Sequence, residues 1–260
     1  MRLDLFWRHK SMLDAEGLDV GFGMFSVGHF IWFFLMTAGI AAFVLFYRRG
    51  DERRRGDMRK TMALFIILFE IFKQCVMALT GAPIERNLPL HVCSFAEYAM
   101  LADAMWPDER FLHQGFLYLF LPAAVMAVTF PTVTGYPAVN FYTIHQFVLH
   151  AGMAAYIIAR YACGEFVPTY RGVWISLAQF LPIGFLIYLI DFGFDKNYMF
   201  LSSPSGNTML TALWNISGGS GGVPYFASLI LFTIVIQHVF YGIYRLIGAI
   251  SSRCAKKAEG

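Results

Sequence analysis

The chain has 260 residues, of which 58% are hydrophobic and 14% are charged, and its formal net charge is +3. A soluble domain carries about 25% charged residues, so this composition excludes an ordinary soluble protein and indicates one embedded in a lipid bilayer. The small net charge does not indicate a nucleic-acid partner, and none is expected.

The predicted elements are an N-terminal interfacial segment, a transmembrane domain and a basic tail. Residues 1–25 are polar, and Phe6 and Trp7 beside Arg8 suit a short amphipathic helix at the membrane surface. A helix needs about 20 mainly apolar residues to cross the hydrocarbon core. Within 26–250 seven runs meet this requirement, at 26–47, 61–80, 88–106, 111–130, 140–162, 172–191 and 224–247, and residues 251–260 form the tail. The predicted fold is therefore an all-α, polytopic membrane helix bundle.

The distribution of basic residues predicts the orientation of the bundle. If loop 48–60 is cytoplasmic, 14 of the 20 Lys and Arg residues lie inside, 5 lie outside, and Lys73 lies within a span. Cytoplasmic loops carry the excess of Lys and Arg in membrane proteins. The sequence thus predicts an outside N-terminus and a cytoplasmic C-terminus.

Ionisable residues inside the spans mark candidate functional positions, because they are costly in hydrocarbon. The second span contains Glu70, Lys73 and Gln74. Glu70 and Gln74 share a helix face, and Lys73 lies three residues after Glu70, so an internal ion pair is possible. A polar clamp between helices is the alternative interpretation.

The third span begins at Leu88-Pro89-Leu90-His91-Val92-Cys93-Ser94, which places an imidazole and a thiol two residues apart. Pro89 disfavours a helical conformation at the residue before it, so the segment can enter its helix in extended form. In extended geometry, His91 and Cys93 share a face. Together they suit acyl transfer, metal ligation or redox chemistry, and a capping turn with a buried thiol remains the structural alternative.

The fifth span carries His145 and His150. Five residues correspond to about 140° of helix rotation, so the two rings are not expected to serve one atom equally. At 1.5 Å per residue, His91, Cys93 and His145 lie about 5–8 Å below the outer surface, whereas His150 lies on the order of 15 Å down. Depth therefore favours His145 or His91 as the partner of the thiol.

Several other polar residues are interpreted as structural. Asp103 near the cytoplasmic end is expected to be solvated, and His113 is expected to extend to water. His29 suits an interfacial position, His238 an interhelical hydrogen bond, and Cys75 the role of a packed small residue.

The LPLHVCS segment is similar to the LPLHLCS signature of the YwaF-type bacterial integral membrane family, which is related to the transmembrane protein 164 acyltransferases. Further similarities occur in the family's order over residues 25–250. Glu70 stands about twenty residues before the signature, His145 to His150 resembles an H-F-F-x-x-H run, and Asn197 to Leu201 resembles N-Y-M-Y-L.

The resemblance implies an intramembrane acyltransferase that moves a fatty acyl chain from phospholipid to lysophospholipid. It also implies a multi-pass protein of the bacterial inner membrane, with no cofactor and no metal. In the eukaryotic branch the cysteine immediately precedes the histidine, where this chain has Leu90. The residues expected at the catalytic site are His91, Cys93, His150 and His145, and those expected to support it are Glu70, Gln74, Asn197 and Tyr198.

A thiol becomes a good nucleophile when a neighbouring imidazole accepts its proton, so a histidine near Cys93 suits this chemistry. The family's spacing points to His150. Two other functions remain open on the residues alone. His91 with His150 or His145 could ligate a b-type haem, and Glu70 with the histidines could form the relay of a transporter or receptor.

Overall fold

The computed structural model describes residues 3–107 and 109–258, and this part of the chain is helical, without a strand. Short 3₁₀ turns lie at Leu3–Leu5, Ile84–Arg86 and Tyr198–Phe200. A π-helical turn at Phe116–Phe120 joins α5 to α6 in one continuous run. The α-helices are α1 (Lys10–Ala15), α2 (Val27–Arg49), α3 (Glu52–Thr80), α4 (Val92–Met105), α5 (Arg110–Gly115), α6 (Leu121–Thr129), α7 (Phe141–Ala162), α8 (Tyr170–Phe194), α9 (Thr208–Ile216) and α10 (Val223–Ala258).

Local capping explains where the long helices begin and end. Side chains accept hydrogen bonds from first-turn amides at Asp51 before α3, Asn140 before α7 and Thr169 before α8. Such caps satisfy amides that have no partner within the helix. Gly81 ends α3 with φ 69°, a left-handed conformation that glycine adopts without strain.

Each of the seven runs predicted to span coincides with a helical stretch, and within the described residues five stretches have the length and composition of a membrane crossing. These five are Val27–Arg49, Glu52–Thr80, Arg110–Thr129, Tyr170–Phe194 and Val223–Ile250. Helix α4 has 14 residues, which corresponds to about 21 Å and is shorter than the roughly 30 Å hydrocarbon core. The total of seven crossings and the orientation of the termini therefore stay predictions.

Helix α7 lies at the centre of the bundle, where it contacts α2, α3, α4 and α6. Gly152 favours the close approach of α3, because a Cβ at this position would lie 2.8 Å from Ile66 Cδ1 and this side chain would have to move. His145 and His150 are both buried, at 7% and 5% exposure. The central position of α7 directs both imidazoles into the protein.

One end of the bundle contains a buried ionic cluster around Glu165. We call it the Glu165 end. Arg160 donates to Asp103 and, at 2.8 Å, to Glu165. Arg59 Nη1 lies 3.0 Å from Glu165 Oε2, and the Tyr156 hydroxyl donates to Asp103. Asp103 is fully buried, so the expectation that it is solvated was wrong. The guanidinium of Arg160, 57 residues away in the chain, compensates its charge.

Two histidines interpreted as peripheral are also buried. His113 is 7% exposed, its Nε2 lies 2.9 Å from the Pro107 carbonyl oxygen, and it lies 3.4 Å from Asp103. It therefore does not extend to water. His29 is 3% exposed, and its Nε2 lies 3.0 Å from the Val128 carbonyl oxygen. This contact connects α2 to the end of α6. His29 is therefore a buried contact between helices and not a residue at the membrane–water interface, as was expected.

The predicted interhelical hydrogen bond of His238 was assigned to the wrong residue. His238 Nδ1 lies 2.8 Å from the Ile234 carbonyl oxygen of its own helix. The adjacent Gln237, which is fully buried, donates instead from α10 to Ser176 Oγ of α8 at 3.3 Å.

Cys75 is exposed, so it is not the packed residue that was expected.

The opposite end of the bundle, here the mouth end, is covered by the N-terminal segment and by α9. Asn140 Nδ2 donates to the Leu5 carbonyl at 2.8 Å, and the Phe141 N–H donates to the Phe6 carbonyl at 2.9 Å. Helix α9 lies in the segment that connects α8 to α10. Helix α10 continues through most of the predicted 251–260 tail, whereas residues 1–2 and 259–260 lie outside the described residues.

Candidate active site

A cavity of about 1140 Å³ extends from the mouth-end loops to the middle of α4 and α7. Its walls come from α3, α4, α6, α7, α10 and the segment that follows α8. Seven of the eight residues that the sequence analysis selected line it: Glu70, His91, Cys93, His145, His150, Asn197 and Tyr198. Gln74 is the exception, and it lies behind two lining residues, Glu70 and Asn87, to which it donates hydrogen bonds.

Cys93 and His150 form the closest reactive pair in the cavity. His150 Nε2 lies 2.9 Å from Cys93 Sγ, and His150 Nδ1 lies 2.6 Å from the Gln146 carbonyl oxygen. A carbonyl oxygen can only accept, so Nδ1 carries the ring hydrogen. Nε2 is consequently the free base, oriented to accept the hydrogen of the thiol. This arrangement is that of a nucleophile beside its general base.

The depth argument for His145 or His91 as the partner of the thiol was wrong, because residues 87–91 are not helical. His91 has φ −85° and ψ 162°, and α4 begins only at Val92. The helical rise of 1.5 Å per residue therefore does not give the depth of Cys93. The 2.9 Å contact shows that its sulfur lies at the level of His150 Nε2.

Glu70 holds its own group of partners on the α3 side of the cavity. Lys73 Nζ lies 2.7 Å from Glu70 Oε1, Gln74 Nε2 donates to the same oxygen at 2.8 Å, and His145 Nε2 lies 3.3 Å from Glu70 Oε2. Gln74 also donates to the Asn87 carbonyl at 2.9 Å. The ion pair suggested by the i,i+3 spacing is therefore present. His145 faces Glu70 and not the thiol.

His91 connects the LPLHVCS segment to the turn after α8. Its Nδ1 accepts a hydrogen bond of 3.1 Å from the Met199 N–H. The Tyr198 N–H donates to Asp191 Oδ1 at 2.8 Å, and the Tyr198 hydroxyl donates to the Glu85 carbonyl. Met199 has φ 54°, a conformation uncommon for a residue with a side chain. These bonds hold the turn over the start of α4.

Asn197 organises the loop that follows this turn. Its Oδ1 accepts from the Ser202 and Ser203 N–H groups at 2.9 and 3.0 Å, and its Nδ2 donates to Ser205 Oγ at 2.7 Å. Asn197 thus supports the rim of the cavity, and its amide is not aimed at the Cys93–His150 pair.

The start of α4 offers backbone donors beside the thiol. Val92 and Cys93 occupy the first two helical positions, where amides have no carbonyl partner within the helix. Among the described residues, the side chain of His91 makes no capping hydrogen bond to them. These amides, at the positive end of the helix dipole, suit a negatively charged oxygen.

The cavity has an apolar branch and a rim that carries charges of both signs. The branch passes between α6 and α10, lined by small or apolar residues that include Ala123, Ala127 and Phe232. Lys10, Asp195 and Lys196 lie at the rim, and Lys10 Nζ is 2.8 Å from Asp14 Oδ1. Burial lowers the pKa of His9, which is also at the rim, so this imidazole is neutral near pH 7. The branch has the apolar lining that an acyl chain needs.

The sequence analysis assigned no role to two buried carboxyl groups. Asp191 positions Tyr198, as described above. Glu97 is 1% exposed and lines the cavity one helical turn after Cys93. The i,i+4 spacing from Cys93 was the available signal for Glu97, since such residues lie on one helix face.

Metal or haem ligation is an alternative use of buried histidines. The described residues contain no cluster of three or more His, Cys, Asp or Glu side chains that could hold a metal ion. Iron ligation needs a free imidazole nitrogen. Both nitrogens of His150 are in contact, with Cys93 Sγ and with a carbonyl oxygen, and His145 Nε2 faces Glu70. These residues do not fit the haem site considered from the sequence.

The fold and the composition define a multi-pass, all-helical membrane protein. A family model described as the TMEM164 family matches residues 24–244, so the chain belongs to this family. Comparisons with curated proteins and with solved structures gave no match.

Proposed function

We propose that this protein is an intramembrane acyltransferase in which Cys93 is the nucleophile and His150 the general base. The observation that carries the proposal is the 2.9 Å contact between His150 Nε2 and Cys93 Sγ, with Nδ1 engaged by the Gln146 carbonyl. A thiol activated by an imidazole is a common device for acyl transfer. Membership of the TMEM164 family and the apolar branch of the cavity support a lipid substrate.

In the first half-reaction, His150 Nε2 takes the proton from Cys93 while the sulfur attacks the ester carbonyl carbon of a phospholipid. The carbonyl oxygen becomes an oxyanion near the first-turn amides of α4. The C–O ester bond then breaks, the lysophospholipid oxygen takes the proton from His150, and the acyl chain remains on Cys93 as a thioester.

The second half-reaction reverses these steps with another lysophospholipid. Its hydroxyl gives a proton to His150 and attacks the thioester carbon, and Cys93 leaves and regains the proton. His150 is buried and Cys93 is half-buried. Limited access of water protects a thioester from hydrolysis, so the site favours transfer.

Several finer assignments belong to this proposal. We place the chain with the YwaF-type bacterial members of the family, in the bacterial inner membrane. The transmembrane domain at 26–250 has seven crossings, with the N-terminus outside and the 251–260 tail cytoplasmic. The interfacial segment at 1–25 covers the mouth end. The substrates are phospholipid and lysophospholipid.

The buried Glu70, Lys73 and His145 group favours a second candidate function, that of a transporter or receptor with an internal proton or ligand relay. In that case the cavity would take up a ligand without forming a covalent intermediate. A covalent adduct therefore separates the two candidates.

The proposal is tested by intact-mass analysis after incubation of the purified protein with phospholipid. The wild type is expected to gain the mass of one acyl chain, Cys93→Ala to gain none, and the control Cys163→Ala to behave as the wild type. His150→Ala is expected to slow adduct formation by roughly 10²–10⁴-fold, the share typical of general acid–base catalysis. Full lipid turnover by Cys93→Ala would contradict the proposal.

A further inference from the structure

Glu97 is a buried carboxyl group for which the mechanism above has no role. It lies in α4, is 1% exposed and lines the cavity that contains Cys93 and His150. Its Oε2 is inaccessible to solvent and has no hydrogen-bond partner among the described residues. An unpartnered polar atom in a buried site is costly and needs an explanation. At the wall of a cavity, a bound ligand would supply the missing partner.

The geometry of α4 directs this carboxyl group toward the thiol. Glu97 follows Cys93 by four residues on one face of the helix, and Cβ atoms at this spacing lie about 5–6 Å apart. Helical side chains point back toward the N-terminus and cover the preceding turn. A Glu97 side chain that follows this preference places its carboxyl group over the turn that begins at Cys93.

The surroundings of Glu97 favour a neutral acid. Lys73, the cation on the neighbouring wall of the cavity, lies 2.7 Å from Glu70. No ion pair connects Glu97 to a basic residue in the described parts of the chain. A buried carboxylate without a counter-ion is far more costly than the protonated acid. The protonated form has an O–H group and can therefore donate a hydrogen bond.

We propose that neutral Glu97 is a further catalytic residue, which donates a hydrogen bond from its carboxyl O–H to the carbonyl oxygen of the acyl group on which Cys93 acts. The inference rests on the proposed acyl transfer. As Cys93 Sγ bonds to the carbonyl carbon, the C=O π electrons move to the oxygen, and the O–H of Glu97 stabilises the resulting oxyanion. Glu97 keeps its proton throughout, because His150 carries the proton exchanged between sulfur and the lipid oxygen.

This role complements the backbone donors at the start of α4. The amides of Val92 and Cys93 approach the oxyanion from the helix terminus, and Glu97 approaches it from the following turn. A donor placed where charge develops acts in the transition state more than on the bound substrate. Removal of one such donor typically costs about 10²–10³-fold in rate.

The test compares Glu97→Gln, which retains an N–H donor, with Glu97→Met and Glu97→Leu, which have none. The rate of Cys93 acylation by phospholipid is measured at several lipid concentrations by intact mass. We expect the maximal rate to fall about 10²–10³-fold in the apolar variants with little change in the half-saturating lipid concentration. Glu97→Gln is expected to stay within about tenfold of the wild type. Melting temperatures in detergent show whether each variant is folded.

Two outcomes would overturn the inference. The first is a folded apolar variant that acylates at the wild-type rate. The second is a folded Glu97→Gln variant that loses as much as the apolar ones, which would indicate that Glu97 acts as an anion. An infrared difference spectrum of wild type against Glu97→Gln provides a second measurement, which does not need a folded apolar variant. A protonated-carboxyl band is expected, and its absence also overturns the inference.

The same experiment separates this inference from the proposed function. If wild-type Cys93 forms no adduct with phospholipid, the acyltransferase proposal fails, and the role of Glu97 fails with it. If the wild type is acylated and the Glu97 variants are acylated equally fast, only the role of Glu97 fails.

Discussion

The imidazole of His91 accepts a hydrogen bond from the backbone N–H of Met199, 108 residues away in the chain, at 3.1 Å. This bond connects the non-helical start of α4 to a turn in which Met199 has φ 54°. His91 therefore lies in the cavity as a positioning residue, and His150 is the histidine in contact with Cys93.

His91→Ala is expected to loosen the turn at 198–200 more than it slows the chemistry. Loss of the acceptor leaves the Met199 N–H unpaired, at a cost of about 1–3 kcal/mol. We expect a lower melting temperature, faster hydrogen exchange at 197–201, and a smaller loss of Cys93 acylation than with His150→Ala. His91→Asn is the matched control, because its amide oxygen can accept the same bond. A larger acylation defect in His91→Ala than in His150→Ala would contradict this assignment.

Glu70→Gln is expected to destabilise the protein strongly. Lys73 would then be left without its counter-ion in a site where its side chain is 18% exposed. Breaking such a buried pair typically costs about 3–5 kcal/mol, whereas replacing both partners is often tolerated. The double variant Glu70→Gln/Lys73→Met should therefore melt at a higher temperature than Glu70→Gln.

The exposed pair Lys10–Asp14 provides the comparison for this prediction. Its side chains are 34% and 60% exposed, and exposed pairs contribute about 0–1 kcal/mol. Asp14→Asn should change the melting temperature little. If Asp14→Asn and Glu70→Gln lower the melting temperature equally, the Glu70–Lys73 pair contributes no more to stability than an exposed pair.

Ala123→Phe and Ala127→Phe are expected to shorten the acyl chains that the protein accepts. Both alanines line the apolar branch of the cavity, so a phenyl ring there occupies space for chain methylenes. The ratio of long-chain to short-chain adducts on Cys93 should fall. Val125→Phe is the control, because Val125 lies on the same helix, is 39% exposed and is absent from the cavity wall. An unchanged ratio in both alanine variants would place the acyl chain elsewhere.

The orientation of the bundle is testable by cysteine labelling in sealed cells. Arg53→Cys and Ser220→Cys introduce thiols at exposed positions at the two ends, in a background without Cys75, Cys163 and Cys254. A membrane-impermeant maleimide added outside should label position 220 and not position 53. Position 53 should react only after the membrane is opened. The reverse pattern would overturn the orientation inferred from the basic loops.

The helical elements could be predicted from the sequence, because apolar runs of about 20 residues need only length and composition to be recognised. The partner of the thiol was harder to predict. It depended on the path of residues 87–91, and the depth estimate used the helical rise for residues that are not helical.

The ion pair between Asp103 and Arg160 could not be predicted from the sequence, because it depends on tertiary packing. Asp103 and Arg160 are 57 residues apart, and only the packing of α4 against α7 brings them together. Local spacing did reveal the Glu70–Lys73 pair, since i,i+3 neighbours on one helix need no tertiary information.

The shortness of α4 has a consequence for the order in which the protein is assembled. Non-helical backbone is stable at membrane depth only where protein surrounds it. Around α4 that protein includes Gln74, which binds the Asn87 carbonyl, and Tyr198, which binds the Glu85 carbonyl. Tyr198 is synthesised about one hundred residues after Cys93. A nascent chain that ends before Tyr198 lacks the second of these contacts, so the segment before Cys93 is fully held only after most of the protein has been synthesised.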